Sequence, residues 1–492
     1  MPAAPLAPLA PLADWDPGRR RRRARLGLFL AAAVTMLAGA AWSELYGIYV
    51  FYATIARSIV DRGDWVHLVA NGEPYHHKPP LLFWLGALAM QVLGPTALAA
   101  TLFPRLIGVA TVVLTVLVGT RLVGRSAAWL GGVVLLTSGI FLQSATTFRM
   151  EQGLACGVLM ALAGVLWRGS DWVRAALVYL GIVLALMTKG PVGLLPVPVV
   201  VAYWIAARRP PWRTSPWPWL ALAPLLALPL WWYATQGWQH GDQFTVGIDP
   251  EARGKAAGRS FAQEVWNAYG RKLLSTWGHW TPCFALGLIV AWRRWRRGSA
   301  ERGAHLAALA MWAVVVFAGA ILKTGMATRY LAPAFPALAL IAGLGFDALL
   351  RARWGARAAA VQQRVLRLLP PVTAMLAVIA VPVLVMLPPR LTRDWRPRLA
   401  ELRTAAEARL PAGAPIAVLR LDDSTRWWDL AWCGFYLDRP GHAIDGTAAL
   451  AGHAGVVLVP VAAWPGVSGA HGLREIARSK TYVLAETPAV RP

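Results

Sequence analysis

A polytopic α-helical membrane protein ending in a small α/β domain is the fold class this sequence predicts, on three observations. First, 57% of its 492 residues are hydrophobic and only 15% charged, with a mean hydropathy of +0.48; soluble chains of this length are rarely so apolar. Second, apolar runs of about 17–20 residues recur, the length a helix needs to cross the hydrocarbon core. Third, the composition changes near residue 390, where helix-like LAELRTAAEARL gives way to short runs of strand character: 414–419, 455–460 and 481–484.

The net charge of +25 does not indicate nucleic acid. The arginines sit in short clusters between apolar runs, which is the positive-inside pattern, and some of that charge suits anionic lipid head groups. Twenty-six tryptophans fit membrane-interface belts. The three cysteines, Cys156, Cys283 and Cys433, form no metal-binding or disulfide framework.

In chain order, residues 1–25 are expected to be a disordered basic N-terminus, with an Ala-Pro-Leu repeat and then the run Arg19–Arg25. The basic run puts this end in the cytoplasm. Membrane segments occupy 26–388: a first span at 26–42, then 106–123, 127–142, 154–166, 175–187, 192–206, 217–233, 283–292, 306–322, 330–349 and 372–387. That is about 11 spans, or up to 13 if short helices pair. The segment 81–93 reads as a juxtamembrane helix. This arrangement puts the loop 43–80, the turn 146–151, the loop 236–279 and the domain 389–492 on the outer side.

The outer loop between the first span and residue 84 reads WSELYGIYVFYATIARSIVDRGDWVHLVANGEPYHHKPPLLFW. Residues 53–60 have apolar positions at helical spacing with Arg57, Asp61 and Arg62 among them, predicting an amphipathic helix along the interface. Gly63-Asp64-Trp65 breaks it, Asn71-Gly72-Glu73-Pro74 turns, and Pro79-Pro80 opens the next helix. Further along lie LALMTKGPVGLL at 184–195, KTGMATRYLAPAFPALAL at 323–340 and LAWCGFYLDRP at 430–440.

These segments resemble the bacterial aminoarabinose transferase and protein O-mannosyltransferase family of GT-C glycosyltransferases. The family's first loop has an Asp-Glu pair before the Tyr-Ala-Glu-Ile-Ala-Arg run, then Gly-Asp-Trp, Asn-Gly-x-Pro-Tyr and Glu-Lys-Pro-Pro. Here the Asp-Glu positions hold Ile48 and Tyr49, and the Glu before Lys-Pro-Pro is His77. The resemblance is dense over 52–84, weaker at 184–195 and 323–340, and faint in the C-terminal domain. In the family the first helix is retained, which argues against cleavage at Ala38-Gly39-Ala40.

The resemblance implies a multi-spanning enzyme that takes sugar from a polyprenyl-phosphate donor, with inversion, and a periplasmic C-terminal domain. Such a reaction needs cations at the outer face to hold the phosphate and stabilise it as a leaving group. Lys78, Lys189, Lys323 and Arg329 are expected at outer helix ends, with Tyr330 as a hydroxyl contact. Arg253 and Arg259, beside Lys255, Arg271 and Lys272, stand in the loop matching the family's mobile donor-binding loop. A carboxylate must take the acceptor's proton. Glu44, one helical turn before Ile48, and Glu151, in the turn where the family places an Asp, are the candidates; Gln152 is the alternative alignment. The plainer alternative for each acid is an ion pair: Glu151 with Arg149, and Glu44 with Lys78 or Arg149. The family's divalent metal would fall near His77, with His76, His240 and His279 on the same side. No other cofactor is implied.

Three readings stand at this point: a transferase acting on a glycolipid such as lipid A or on a protein, in the bacterial inner membrane; a non-catalytic relative that binds polyprenyl-linked lipid beside a partner enzyme; and a lipid or sugar transporter, which the lack of internal repeats disfavours.

Overall fold

The structure, a computed structural model, describes residues 19–37, 45, 47–208, 215–241, 263, 265–322, 328–355, 357, 396–411, 413–420, 426–453, 455–479 and 481–488. The expected span 372–387 and residues 1–18 lie outside the described residues. The chain is a multi-span helical membrane protein with a small mixed-sheet domain at its C-terminal end.

Helix α1 (Arg19–Leu37) begins at Arg19, so the basic run continues into the first apolar helix. Among the described residues, four helical segments are long and apolar enough to cross a membrane: Ala97–Leu122, Asp171–Leu194, Ala300–Ile321 and Thr328–Trp354. Helices α3 (Leu81–Leu93), α7 (Glu151–Val165) and α9 (Pro196–Ala207) are apolar but shorter. At 1.5 Å per residue, the 13 residues of α3 reach roughly 20 Å against a core of about 30 Å.

The expected span 127–142 is broken. It consists of α5 (Arg125–Leu136) and α6 (Gly139–Thr146), bent by 67°. Thr137 and Ser138 make the break. Their hydroxyls bond back to Val133 O (2.9 Å) and Val134 O (2.6 Å), a local alternative to the helical ladder. The indole N–H groups of Trp280 and Trp277 then donate to Thr137 Oγ1 (3.0 Å) and Ser138 Oγ (2.9 Å). The expected span 217–233 is likewise interrupted: α10 (Trp217–Leu222) and α11 (Ala227–His240) flank a 3-10 turn at Ala223–Leu226 that contains Pro224.

Close helix approach rests on small residues, as in membrane bundles generally. Helix α7 runs antiparallel to α8 (Asp171–Lys189), with Gly157 facing Gly181 and Gly153 facing Thr188. A Cβ on Gly157 would lie 2.4 Å from Gly181 O, so neither position admits a larger side chain without moving backbone. The pairing brings the N-terminus of α7 beside the C-terminus of α8.

Helix α2 (Ile48–Arg62) contains the predicted amphipathic segment and begins five residues earlier than expected. Its apolar face, including Tyr52, Ala53, Ile55, Ala56 and Ile59, is buried by protein. Tyr52, Phe83 and Phe148 meet with ring centroids 5.7–6.0 Å apart, joining α2, α3 and the turn before α7 in one core. Gly63 ends α2 in the left-handed conformation, φ 69°. Asp64 then accepts the backbone N–H groups of Val66 and His67, each at 3.0 Å. The His67 bond foremost holds the Asp64 carboxyl below the usual carboxylate range. A two-strand turn follows, β1 (Val69–Ala70) with β2 (Glu73–Pro74).

Among the described residues the C-terminal domain holds one five-stranded sheet, in the order β4-β3-β5-β7-β6. Its strands are β3 (Ile416–Arg420), β4 (Gly441–Asp445), β5 (Val456–Pro460), β6 (Arg474–Arg478) and β7 (Tyr482–Glu486). β3 is parallel to β4 and β5, whereas β7 is antiparallel to β5 and β6. Three strands follow the sequence expectation. β4 and β6 were missed, because Gly441–Asp445 and Arg474–Arg478 are partly exposed edge strands with weak apolar patterns. Strand alternation sends Ile416, Val418, Leu458 and Leu484 into the core shared with α2 and α3. Ala417, Leu419, Val457, Val459 and Ala485 form a second, smaller core on the other face.

Candidate active site

Two helix ends build the site. Glu151 is the first residue of α7 and Lys189 the last of α8. Each charge suits its end, an acid at the N-terminus and a cation at the C-terminus. The antiparallel pairing of the helices brings Lys189 Nζ to 2.8 Å from Glu151 Oε1. The side chains are 12% and 7% exposed, so the pair is largely withdrawn from water. Gly190, at φ 76°, stops α8 and turns the chain into a 3-10 segment, Gly190–Leu194.

More cations surround this carboxylate: Lys189, Arg149 and Arg329 all act on Glu151 electrostatically. Lys189 Nζ lies 5.3 Å from the Tyr330 ring centroid and the Arg329 guanidinium 5.0 Å, the two cations using one aromatic face system. Arg329 also donates to Tyr330 Oη at 3.2 Å. Arg149 does not pair directly with Glu151. It donates to Tyr49 Oη, with its guanidinium 5.0 Å from the Tyr49 ring centroid. Gln152 is buried, with its amide 3.4 Å from Phe141 O. Glu151 rather than Gln152 therefore presents its side chain to the cations.

Lys189 also lines a cleft of about 110 Å³ with His76, His77, Lys78, Trp232 and Tyr233. The Lys-Pro-Pro and Thr-Lys-Gly-Pro segments, far apart in sequence, thus bring Lys78 and Lys189 to one hollow. Its volume is well below the roughly 300–1,000 Å³ that encloses a whole organic ligand. Its size suits a compact group rather than a whole ligand, and two lysines, Lys78 and Lys189, stand in its wall. Trp232 and Tyr233 were missed as site residues, because a Trp-Trp-Tyr run at the end of an apolar segment reads as an interface belt.

Of the other expected residues, Glu44, Lys323, Arg253, Arg259 and Lys255 lie outside the described residues. Arg271 is exposed at the start of α12 (Arg271–Trp277). His279 is exposed beside Trp280, their rings 5.4 Å apart. His76 stacks on His240 with centroids 4.7 Å apart and planes at 22°. Stacked imidazoles present faces to each other rather than converging their in-plane nitrogens on one point. Among the described residues no group of three or more His, Cys, Asp or Glu side chains could hold a metal ion. The metal expected near His77 therefore does not fit these described residues.

Comparison with known proteins agrees with this architecture. Residues 77–233 match the family of dolichyl-phosphate-mannose-protein mannosyltransferases. Two uncharacterized proteins of Aquifex aeolicus (strain VF5) are similar, one 29% identical over 199 residues and the other 30% over 145. These matches take in 39% and 30% of this chain, and only 40% and 33% of the relatives' own lengths. In fold, the chain is similar to ArnT from Cupriavidus metallidurans bound to undecaprenyl phosphate, with a TM-score of 0.65 and 19% identity. That likeness covers 94% of this chain and 98% of the other. Against the apo state of ArnT the TM-score is 0.63, again at 19% identity, over 93% and 97% of the two chains. The apo oligosaccharyltransferase of Archaeoglobus fulgidus is more distant, with a TM-score of 0.53 at 12% identity over 90% and 70%. Residues 77–233 thus resemble the dolichyl-phosphate-mannose-protein mannosyltransferases, and the chain as a whole has a membrane fold similar to that of ArnT.

Proposed function

We propose that this protein transfers a sugar from a polyprenyl-phosphate carrier to an acceptor hydroxyl on the periplasmic side of a bacterial inner membrane. The observation that carries the reading is the position of Lys189, at once in the wall of the cleft with Lys78 and bonded to Glu151. Two lysines in the wall of a small hollow suit the one phosphate of such a donor. Its apolar tail needs a bilayer, which the multi-span fold supplies.

In the proposed reaction the acceptor oxygen attacks the anomeric carbon from the face opposite the phosphate. The new glycosidic C–O bond forms as the bond to the phosphate oxygen breaks, inverting the centre. Lys78 and Lys189 stabilise the charge gathering on the departing polyprenyl phosphate. A carboxylate takes the acceptor's proton. Glu151 is the base assigned here, and Glu44 is its alternative. When phosphate engages Lys189, the ammonium shares its donors between phosphate and Glu151, and the carboxylate gains basicity as that bond loosens. Arg329 and Tyr330 complete the cationic side. The acceptor is a glycolipid of the lipid A type or a protein hydroxyl.

A specific observation favours a second reading. Ile48 and Tyr49 replace an acid pair, and Glu151 is already engaged by Lys189. A relative that binds polyprenyl phosphate without transferring sugar would show the same features. Transfer from a radiolabelled polyprenyl-phosphate sugar extract, in liposomes, separates the two. Wild-type transfer that is lost in Glu151→Gln supports the enzyme. Bound polyprenyl phosphate with no transfer by the wild type supports the second reading.

A further inference from the structure

Helix α2 is held from both sides. Near its C-terminal end, Arg57 reaches into the C-terminal domain. Its Nη1 donates to Gly434 O (2.8 Å) and Phe435 O (3.1 Å), and its Nη2 pairs with Asp438. Its Nε remains on α2, bonded to Asp61 at 3.2 Å. A planar five-donor fork suits this three-way grip, which a lysine cannot reproduce. Thr54 Oγ1 adds a bond to Ala431 O at 2.9 Å. Ahead of the helix, the backbone N–H of Leu45 donates to the Tyr436 hydroxyl. Apart from the Asp61 bond, these contacts fall on one short segment, 431–438, formed by the end of a helix, the π-turn Cys433–Leu437 and Asp438.

The first turn of the same helix reaches the site. Tyr49 takes a hydrogen bond from Arg149 and lies under its guanidinium, and Arg149 stands two residues before Glu151. Tyr49 and Arg57 are eight residues apart, about 12 Å along one rigid helix.

We propose that the segment 431–438 of the C-terminal domain is a positioning element for the site: through α2 and Tyr49 it fixes Arg149, and with it the turn that presents Glu151. Arg57 and Tyr436 act as positioning residues and touch neither donor nor acceptor. The proposal rests on the functional reading above only for its kinetic arm. Misplacing reacting groups by about 1 Å costs up to roughly a hundredfold in rate, so a loosened α2 is felt in turnover before it is felt in donor capture at Lys78.

The test uses the full-length protein in lipid nanodiscs, with Arg57→Ala, Arg57→Lys and Tyr436→Phe beside wild type. Hydrogen exchange is followed in peptides covering 45–62, 147–153 and 97–122. The expected result is faster exchange in 45–62 and in 147–153, with 97–122 unchanged as the sign of an intact bundle. In the kinetic arm kcat falls on the order of 10–100-fold while the donor KM stays within about twofold. Arg57→Lys behaves like Arg57→Ala, since it cannot regain the fork. Exchange in 147–153 equal to wild type, despite loosening of 45–62, overturns the proposal, and so does a kcat equal to wild type. A wild type that transfers nothing defeats the functional reading instead, and the exchange arm then decides the coupling alone.

Discussion

Glu151 and Lys189 stand 38 residues apart in the chain and 2.8 Å apart in space. Neither loop geometry nor local sequence brings them together. The contact follows from the antiparallel packing of two apolar helices through Gly153, Gly157 and Gly181. A membrane helix with an acid at its first position and another with a lysine at its last thus create one polar centre at the edge of an apolar bundle.

If Glu151 takes the acceptor's proton, Glu151→Gln keeps size and hydrogen-bonding reach but removes the base. Transfer is expected to fall by about 10²–10⁴, the usual contribution of a positioned base. Polyprenyl-phosphate binding, followed by native mass spectrometry, should persist, because Lys78 and Lys189 remain. Undiminished transfer would move the role of base to Glu44.

Lys189→Met tests the pair itself. It keeps most of the length of the side chain and leaves the Glu151 carboxylate withdrawn from water without its nearest cation. Breaking one side of such a pair typically costs about 3–5 kcal/mol; Arg149 and Arg329 remain to soften this, so a value at the lower end is expected. The double variant Lys189→Met with Glu151→Gln should recover part of the loss. Thermal unfolding in detergent measures both, and equal melting of single and double variants would mean the pair adds nothing to stability.

Both members of the pair were legible in the sequence as separate candidates, since each lies in or beside a motif. Their partnership was not. The partner that sequence proximity offered Glu151 was Arg149, whereas its guanidinium turns to Tyr49. The overall class was also legible, because apolar runs and arginine clusters report the bilayer directly. The break between α5 and α6 was not, since Thr137 and Ser138 interrupt an otherwise apolar run of span length and act only by competing for helix carbonyls. The bonds from Arg57 and Tyr436 to the distant segments 431–438 and 45 were equally invisible. Such contacts depend on how the sheet domain docks, and no local pattern encodes docking.

Lys78 and Lys189 share the cleft, so removing either should weaken phosphate capture. A hydrogen bond to a charged group contributes about 1.5–3 kcal/mol, equivalent to roughly 10–100-fold in affinity. Lys78→Ala is expected to lose that much in undecaprenyl-phosphate affinity. Lys78→Arg should keep most of it if the charge is what matters, and lose it if the hollow of about 110 Å³ is too small for a guanidinium. Titration of lipid into detergent-solubilised protein distinguishes these outcomes, and an affinity unchanged in Lys78→Ala would remove the cleft from the donor site.

The bundle's tolerance for volume gives the last prediction. A Cβ on Gly343, in α15 (Phe335–Trp354), would lie 2.2 Å from Ala127 O and 2.7 Å from Gly131 N, both on α5. These are backbone atoms that cannot rotate aside, so Gly343→Ala must push α5 and α15 apart. The cost of such overpacking is about 1–3 kcal/mol. Gly139, at the start of α6, has nothing within 4 Å of its Cβ position. Gly139→Ala should therefore leave stability unchanged or raise it slightly, since alanine is the better helix former. Comparing the melting temperatures of the two variants isolates packing from helix propensity. Equal stability in the two would show that α5 and α15 do not meet as closely as these distances require.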